Sequence, residues 1–446
     1  MSPAPENSPL SPANVALPPQ ERGRTRRAQI VRATALLIDS AFSTGRRGLT
    51  LRGIAEAAET PVASIYHYFP DVDSIVAAVA AEYGSELSSA VEAGVSRPTA
   101  SASSLLDTIF AVYREFFSAR PGLRELWFDR KASDKVVEIH RHFRAGLAKI
   151  LGAGLDKYST KPHDLLTYQT WIEITGILWE MAFQCDPEGD NRVIAEISEV
   201  SKRFLHRRLG ITFPPSAGTR GRDREKPAAS HATSSAPAEE SAPRTWELPP
   251  PPQARGRKNR TLILAAASAL INAQGPHGPD VNVRAIAGAA GTSPGSIYRY
   301  FEDLDSLVAA VAAAYMHDLL AVLDEVEDAS EGQDYGSFNK RKMAAYQAFF
   351  ARRPGLRELW FDRRTSEKVQ ETHAHYRRIL AERNHQAMAR YSRLPGEMFG
   401  HTLHIEVTGA LWDLAFTLDP QGHPYVIDEI EELGIDFVRR LREREN

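Results

Sequence analysis

Residues 282–308 read NVRAIAGAAGTSPGSIYRYFEDLDSLV, and residues 50–76 read TLRGIAEAAETPVASIYHYFPDVDSIV. The spacing in the first stretch predicts two short helices joined by a tight turn. Asn282 is placed to cap a helix holding Ile286, Ala287 and Ala290. Gly291 supplies a left-handed turn residue, and Pro294 opens a second helix expected to run through Phe301. Small alanines let the two helices approach closely, while Ile297 and Phe301, four apart, share the inward face. Ser296, Tyr298 and Arg299 are left for the outer face. A helix with small polar residues at its start and a tyrosine and a base at its end suits a DNA major groove, and helix N-termini and hydroxyls suit phosphates.

Both stretches belong to a longer repeat. Residues 64–83 (SIYHYFPDVDSIVAAVAAEY) align with residues 296–315 (SIYRYFEDLDSLVAAVAAAY) at an offset of 232, identical at fifteen of twenty positions. Residues 120–136 (RPGLRELWFDRKASDKV) align with residues 353–369 (RPGLRELWFDRRTSEKV) at an offset of 233, identical at fourteen of seventeen, and residues 173–189 and 406–422 keep that offset. A period of about 230 residues is too long for a solenoid unit, so the chain is a tandem duplication of a whole domain. Within each copy the apolar spacing is helical. Ile30, Leu37 and Ala41 mark an opening helix, Leu105, Ile109, Val112 and Phe116 a later one, and Val136, His140, Phe143, Leu147 and Ile150 another. Breaks are expected at Pro121, Pro354, Pro187 and Pro420, because proline restricts the residue before it. An all-α fold follows.

Of the 28 prolines in 446 residues, six fall in residues 1–20 and nine in residues 214–253. Both stretches carry almost no large apolar side chains and are read as disordered, the first as a tail and the second as a linker with a reach of roughly 35 Å. The expected order is a tail (1–21), a helix-turn-helix domain (22–83), a helical regulatory domain (84–213), the linker (214–253), a second helix-turn-helix domain (254–315) and a second helical domain (316–446). The 43% hydrophobic and 25% charged composition is that of an ordinary globular protein. With one cysteine, Cys185, and no apolar run of spanning length, the expected location is cytoplasmic, with no membrane partner. Net charge is −3, yet residues 22–52 hold eight arginines against Asp39, a local +7, and residues 255–301 reach +5. Such clusters attract phosphate.

The segments 282–308 and 50–76 resemble the N-terminal DNA-binding domain of TetR-family transcriptional regulators, and each all-α copy is similar in length to a full family member. The resemblance implies two tandem TetR-like units, each a DNA reader followed by a helical domain for effector binding and dimerisation. It implies a regulator, of repressing type, that binds a double-stranded, pseudo-palindromic operator and is released by a small-molecule effector. Candidate DNA contacts are Arg24, Arg27, Thr50, Arg52, Val62, Ala63, Ser64, Tyr66 and His67 in the first copy. Those in the second are Arg257, Arg260, Asn282, Arg284, Pro294, Gly295, Ser296, Tyr298 and Arg299. The first copy departs more from the pattern. Glu59 stands at the turn glycine, so a remodelled turn is expected, and Pro61 suggests a recognition helix that starts one residue sooner. Val72 and Leu304 stand where the family commonly has a phosphate-contacting lysine. His67 against Arg299 predicts unequal half-sites, since arginine favours guanine edges.

In the helical domains Trp127, Trp179, Trp360 and Trp412 are candidate effector-pocket residues, although a buried tryptophan is more often core. Glu173 and Glu180, like Glu406 and Asp413, share a helix face and are candidates for orienting a cationic ligand, against the more common reading of an exposed acidic stripe. His140 and His142, like His373 and His375, are two apart and point away from one another on a helix, so no metal site is expected. No nucleophile elbow, phosphate loop or zinc motif occurs, and neither enzymatic activity nor a cofactor is expected. Paired helices near 165–184 with 191–209, and 398–418 with 425–444, have broad apolar faces suited to a four-helix bundle, here within one chain as an intramolecular pseudo-dimer. The alternative is a module that sequesters a ligand or protein and has lost specific DNA binding.

Overall fold

The computed structural model describes residues 21–44, 49–128, 133–214, 254–362, 364–393 and 396–443. Residues 1–20 of the tail, most of the linker, and Arg46 and Arg47 of the first basic cluster lie outside the described residues, while Glu21, the last residue of the expected tail, opens the first helix. The chain divides into two compact units, residues 1–214 and 215–446. Among the described residues all regular structure is helical.

The first unit runs α1 (Glu21–Thr44), α2 (Leu51–Ala57), α3 (Val62–Tyr68), α4 (Val72–Val95), α5 (Ala102–Ala119), α6 (Pro121–Phe128), α7 (Asp134–Leu155), α8 (Leu165–Cys185) and α9 (Asn191–Leu209). The helix starts are written in the sequence. Asp71, Ser101 and Asp164 accept hydrogen bonds from the backbone N–H three residues on, at 2.6, 3.2 and 3.2 Å, satisfying donors the first turn cannot. α9 stops at Gly210, whose φ of 68° costs glycine nothing. α4 packs on α5 and α7, and α8 on α9. The Trp171 ring is buried between those last two helices, where Nε1 donates to Ser201 Oγ at 2.9 Å.

The second unit repeats the order as α10 (Ala254–Gln274), α11 (Val283–Ala289), α12 (Pro294–Ile297), α13 (Leu304–Asp328), α14 (Tyr335–Arg352), α15 (Pro354–Phe361), α16 (Glu367–Met388), α17 (Met398–Leu418) and α18 (Pro424–Glu443). Its interior gathers Phe338, Met388, Phe437 and Leu441 from α14, α16 and α18. α13 is long and apolar enough to cross a membrane, contrary to the expectation that no segment qualifies. Two-thirds of its most apolar stretch (67%) is buried in the unit, where it packs on α14 and α16.

The expected breaks fall at the prolines, with α6 and α15 opening at Pro121 and Pro354. Two local expectations fail. α12 ends at Ile297 instead of running through Phe301, because the N–H groups of both Tyr300 and Phe301 converge on the Ile297 carbonyl, at 2.9 and 3.0 Å. Nor does α3 start early. Val62 and Pro294 open their helices at equivalent places, and Pro61 sits at the N-cap in the position of Ser293.

Candidate functional site

The turn between α2 and α3 and that between α11 and α12 have one backbone. Glu59 has φ 48° and Gly291 φ 64°. Glu59 N donates to Glu56 O at 3.2 Å, and Gly291 N to Gly288 O at 3.1 Å. Thr60 N and Thr292 N reach Ala55 O and Ala287 O, each at 2.9 Å. The first turn is therefore not remodelled; the glutamate is held in a left-handed conformation that costs an L-residue about 1 to 2 kcal/mol. Ile65 and Phe69, like Ile297 and Phe301, are buried beneath the second helix. That leaves Tyr66 at 55% and Tyr298 at 57% exposure, beside exposed Val62, Ala63 and His67 in one unit and Pro294, Gly295 and Arg299 in the other. Large rings held in water on a short rigid element are unusual for a core and ordinary for a contact surface.

Several candidates do structural work. Thr50 Oγ1 accepts from Gly53 N at 3.1 Å and Asn282 Oδ1 from Ala285 N at 3.0 Å, so both side chains cap the helix before the turn. Ser64 and Ser296 are half-buried, and Ser296 Oγ lies 3.0 Å from Ser293 Oγ. Arg52 pairs with Glu56 at 3.1 Å, whereas the exposed Arg284 has Gly288 at that spacing. Arg24 and Arg257 are exposed on the opening helices. Arg27 and Arg260 turn inward, their guanidinium carbons 5.0 Å from the centre of Phe69 and 5.6 Å from that of Phe301. Burial lowers the pKa of both guanidinium groups, and the Glu82 carboxylate opposes this for Arg27. Each ties an opening helix to the residue that ends the reading segment.

Just beyond that segment, each unit repeats an ammonium clamp. Lys135 on α7 donates to Asp71 Oδ2 at 3.1 Å and to Ser74 Oγ at 2.7 Å, both in the first turn of α4. Lys368 on α16 reaches Glu302, Asp303 and Ser306 at 2.9, 2.7 and 2.8 Å. Hydrogen bonds from Ser74 and Lys135 hold the Asp71 carboxyl down at about 2. For Asp303 burial pushes up, but Lys368 and Ser306 together bring it to about 2. A second joint lies at the other end of α1. Asp39 takes Arg120 Nε at 2.9 Å and Leu123 N at 3.0 Å, capping α6 from another helix. A Cβ on Gly122 would lie 2.5 Å from Asp39 Cα, and one on Gly355 would overlap the Ile271 carbonyl oxygen. Only glycine permits that approach. In the second unit Arg353 turns to Asp318 at 2.5 Å instead.

Of the pocket candidates, Trp127, Glu173 and Trp179 meet in one hollow of about 40 Å³ between α5, α6, α7 and α8. That is room for a few water molecules at most. Arg144 answers Glu173 at 3.1 Å, as Arg377 answers Glu406 at 3.1 Å, so neither glutamate belongs to an exposed acidic stripe. Trp360 packs on His373 at 4.8 Å and Trp412 on Tyr346 at 5.9 Å. His140 is buried against Trp127, and burial with the nearby Arg144 pushes it down to about 3. Among the described residues no cluster of metal ligands occurs. A wider crevice of about 380 Å³, lined by Asn272, Gly275, Glu358 and Asp413, was not legible in the sequence, because it opens where the end of α10 meets α15 and α17.

Residues 263–311 match the family profile described as bacterial regulatory proteins, tetR family, and residues 335–436 that described as tetracyclin repressor-like, C-terminal domain. The second unit carries both domains of a TetR-family regulator. No curated protein matches the chain. Among solved structures, a TetR-family transcriptional regulator from Streptomyces coelicolor is similar at 22% identity over 41% of this chain and 99% of that one, with a TM-score of 0.34. A putative transcriptional regulator TetR family protein from Vibrio parahaemolyticus is similar at 21% identity over 40% and 96%, with a TM-score of 0.29. The TetR match begins within α10 and runs to α18, so it takes in the turn at Gly291, the exposed Tyr298 and Arg299, and the Lys368 clamp.

Proposed function

We propose that this chain is a sequence-specific DNA-binding regulator of the TetR type, acting as a repressor, in which two fused units serve as the halves of one pseudo-dimer. The observation that carries the reading is the exposed Tyr-Arg and Tyr-His pair on one backbone turn, repeated in two units. The basic opening helices supply the sequence-independent attraction to phosphate, and the exposed ends of α3 and α12 supply the base contacts. His67 and Arg299 make the two half-sites unequal, about one helical turn apart on the DNA.

Release by an effector is proposed to act through the two joints of each unit. The ammonium clamp and the glycine contact tie the reading segment to the helical domain at two points, so a shift of α6 or α7, or of α15 or α16, moves the reader with it. A ligand that prefers the shifted arrangement lowers operator affinity in proportion to that preference.

The test is selection of the full chain against a random duplex library, with sequencing of the bound DNA. Two unequal half-sites are expected. No enrichment would overturn the regulator reading and leave the sequestering one, which the internal engagement of Arg27, Arg52 and Arg260 favours.

A further inference from the structure

Lys342 lies on the inner side of α14, where the first unit has Ile109, a fully buried core residue. Among the described residues it makes no hydrogen bond and no ion pair; its Nζ lies 5.3 Å from the centre of the Phe338 ring. Around it the two units differ at three further positions. His404 stands in place of Trp171, Arg383 in place of Ile150, and Asn384 in place of Leu151. An interior that is apolar in one unit is polar in the other.

Lys342 Nζ lies over the buried Phe338 ring, His404 lies 5.1 Å from Phe437 of the same core cluster, and Tyr346 stacks 5.9 Å from the buried Trp412. Burial moves Lys342 down to about 8, with Glu327 opposing, raises Tyr346, and moves His404 down to about 3, helped by Lys342, His401 and Arg440. Yet all three keep accessible surface. In the first unit Tyr113, the counterpart of Tyr346, is likewise partly accessible and lines the small hollow described above.

The other charges around them are committed. On α13, Glu327 and Asp324 are held by Arg383 at 2.8 and 2.6 Å, and Glu327 also by Arg390 at 3.6 Å. On α17, His401 is bonded by Asn384 at 3.0 Å. On α18, the Arg440 guanidinium lies 5.7 Å from the centre of Phe437. One ammonium therefore lies over a buried ring with no carboxylate bonded to it, an arrangement that is costly unless an anion completes it.

We propose that the helical domain of the second unit, and not that of the first, binds a small organic carboxylate. Its carboxylate sits on Lys342 with Tyr346 and His404 as hydrogen-bond donors, and its apolar body rests on the Phe338 and Tyr346 rings. The proposal rests on the reading of that domain as the sensor, and it names the class of effector.

The experiment is calorimetric titration of the full chain, without DNA, with benzoate, hexanoate and octanoate against benzamide, hexanamide and octanamide at fixed ionic strength. At least one carboxylate binds once per chain, and its amide binds at least tenfold more weakly. Lys342→Ile, which installs the first unit's residue, keeps the fold and loses at least tenfold in affinity, while Lys342→Arg retains binding. Lys342→Met serves as a second apolar replacement. Binding by none of the carboxylates, equal binding of an acid and its amide, two sites per chain, or undiminished affinity in the folded Ile or Met variant would each overturn the proposal. Operator selection is read separately, so failure here leaves the DNA-binding reading standing, and failure there leaves this one.

Discussion

At position 59 a glutamate adopts the backbone that Gly291 adopts in the second unit, and the surrounding hydrogen bonds hold it there. Glu59→Gly is expected to stabilise the first unit by about 1 kcal/mol, and Gly291→Glu to destabilise the second by a similar amount, measured by urea denaturation of the full chain. Gly122 and Gly355 work through space, not φ. Alanine at either forces α6 from α1, or α15 from α10, and is expected to cost about 1 to 3 kcal/mol by the same measurement, with weaker DNA binding beside it. The cap of Asn282 and the turn at Gly291 were readable because their partners lie within three to five residues. The inward turn of Arg27 and Arg260 was not. Their partners, Phe69 and Phe301, lie two helices further along, and an arginine in a basic run reads the same whether it meets a ring or a phosphate.

Among the elements, α3 and α12 show how little sequence separates seven helical residues from four. Ile297 and Phe301 have helical spacing, which is why a longer α12 was expected. Gly295 in the position of Ala63 lowers helix propensity by about 1 kcal/mol, enough to end a helix this short after one turn. Its Cβ position is open, with Ser293 Oγ the nearest atom at 4.0 Å, so Gly295→Ala is expected to lengthen α12 and stabilise the unit by about 0.5 to 1 kcal/mol. Amide exchange across residues 294–301 checks it. The clamp on α13 is a second test. Asp303 has a folded pKa below its ordinary value, so its contribution is present above about pH 4 and is lost as pH falls toward 2. Lys368→Met is expected to return Asp303 toward its ordinary range in a carboxyl NMR titration. The long helices were legible from their periodicity, whereas the polar interior around Lys342 was not. A lysine in KRKMAAYQAFF reads as surface until the third dimension places it over the buried Phe338 ring, near Glu327 of α13 and His404 of α17. If a carboxylate binds there, its affinity is expected to be level between about pH 6 and 7, where the ligand is ionised and Lys342 protonated, and to fall as pH rises through 8. Lys342 loses its proton at about 8, whereas His404, at about 3, stays neutral throughout that range.

For the molecule as a whole, the decisive property is that both helix-turn-helix segments belong to one chain, joined through residues 214–253. If the two units act as the halves of one operator-binding pair, the tether replaces dimerisation in solution, and a covalent link of this length holds each half at an effective concentration near millimolar. Binding to a two-half-site duplex is then first order in protein, and the mass in solution stays near 49.4 kDa. A protease site placed within residues 220–240 offers the test. Before cleavage, a titration at nanomolar protein should show one steep salt dependence set by the phosphate contacts of both readers. After cleavage, the same titration should weaken at least tenfold and recover only as protein concentration is raised, because the halves must first find one another. Cleaved protein that binds with unchanged affinity at nanomolar concentration would mean that one unit carries the recognition or that separate chains pair, and the pseudo-dimer would be set aside. Arg299→Ala in the uncut chain separates these two outcomes: it should relax base choice in one half-site alone if each reader has its own, and in both if two copies of the second unit meet on the DNA.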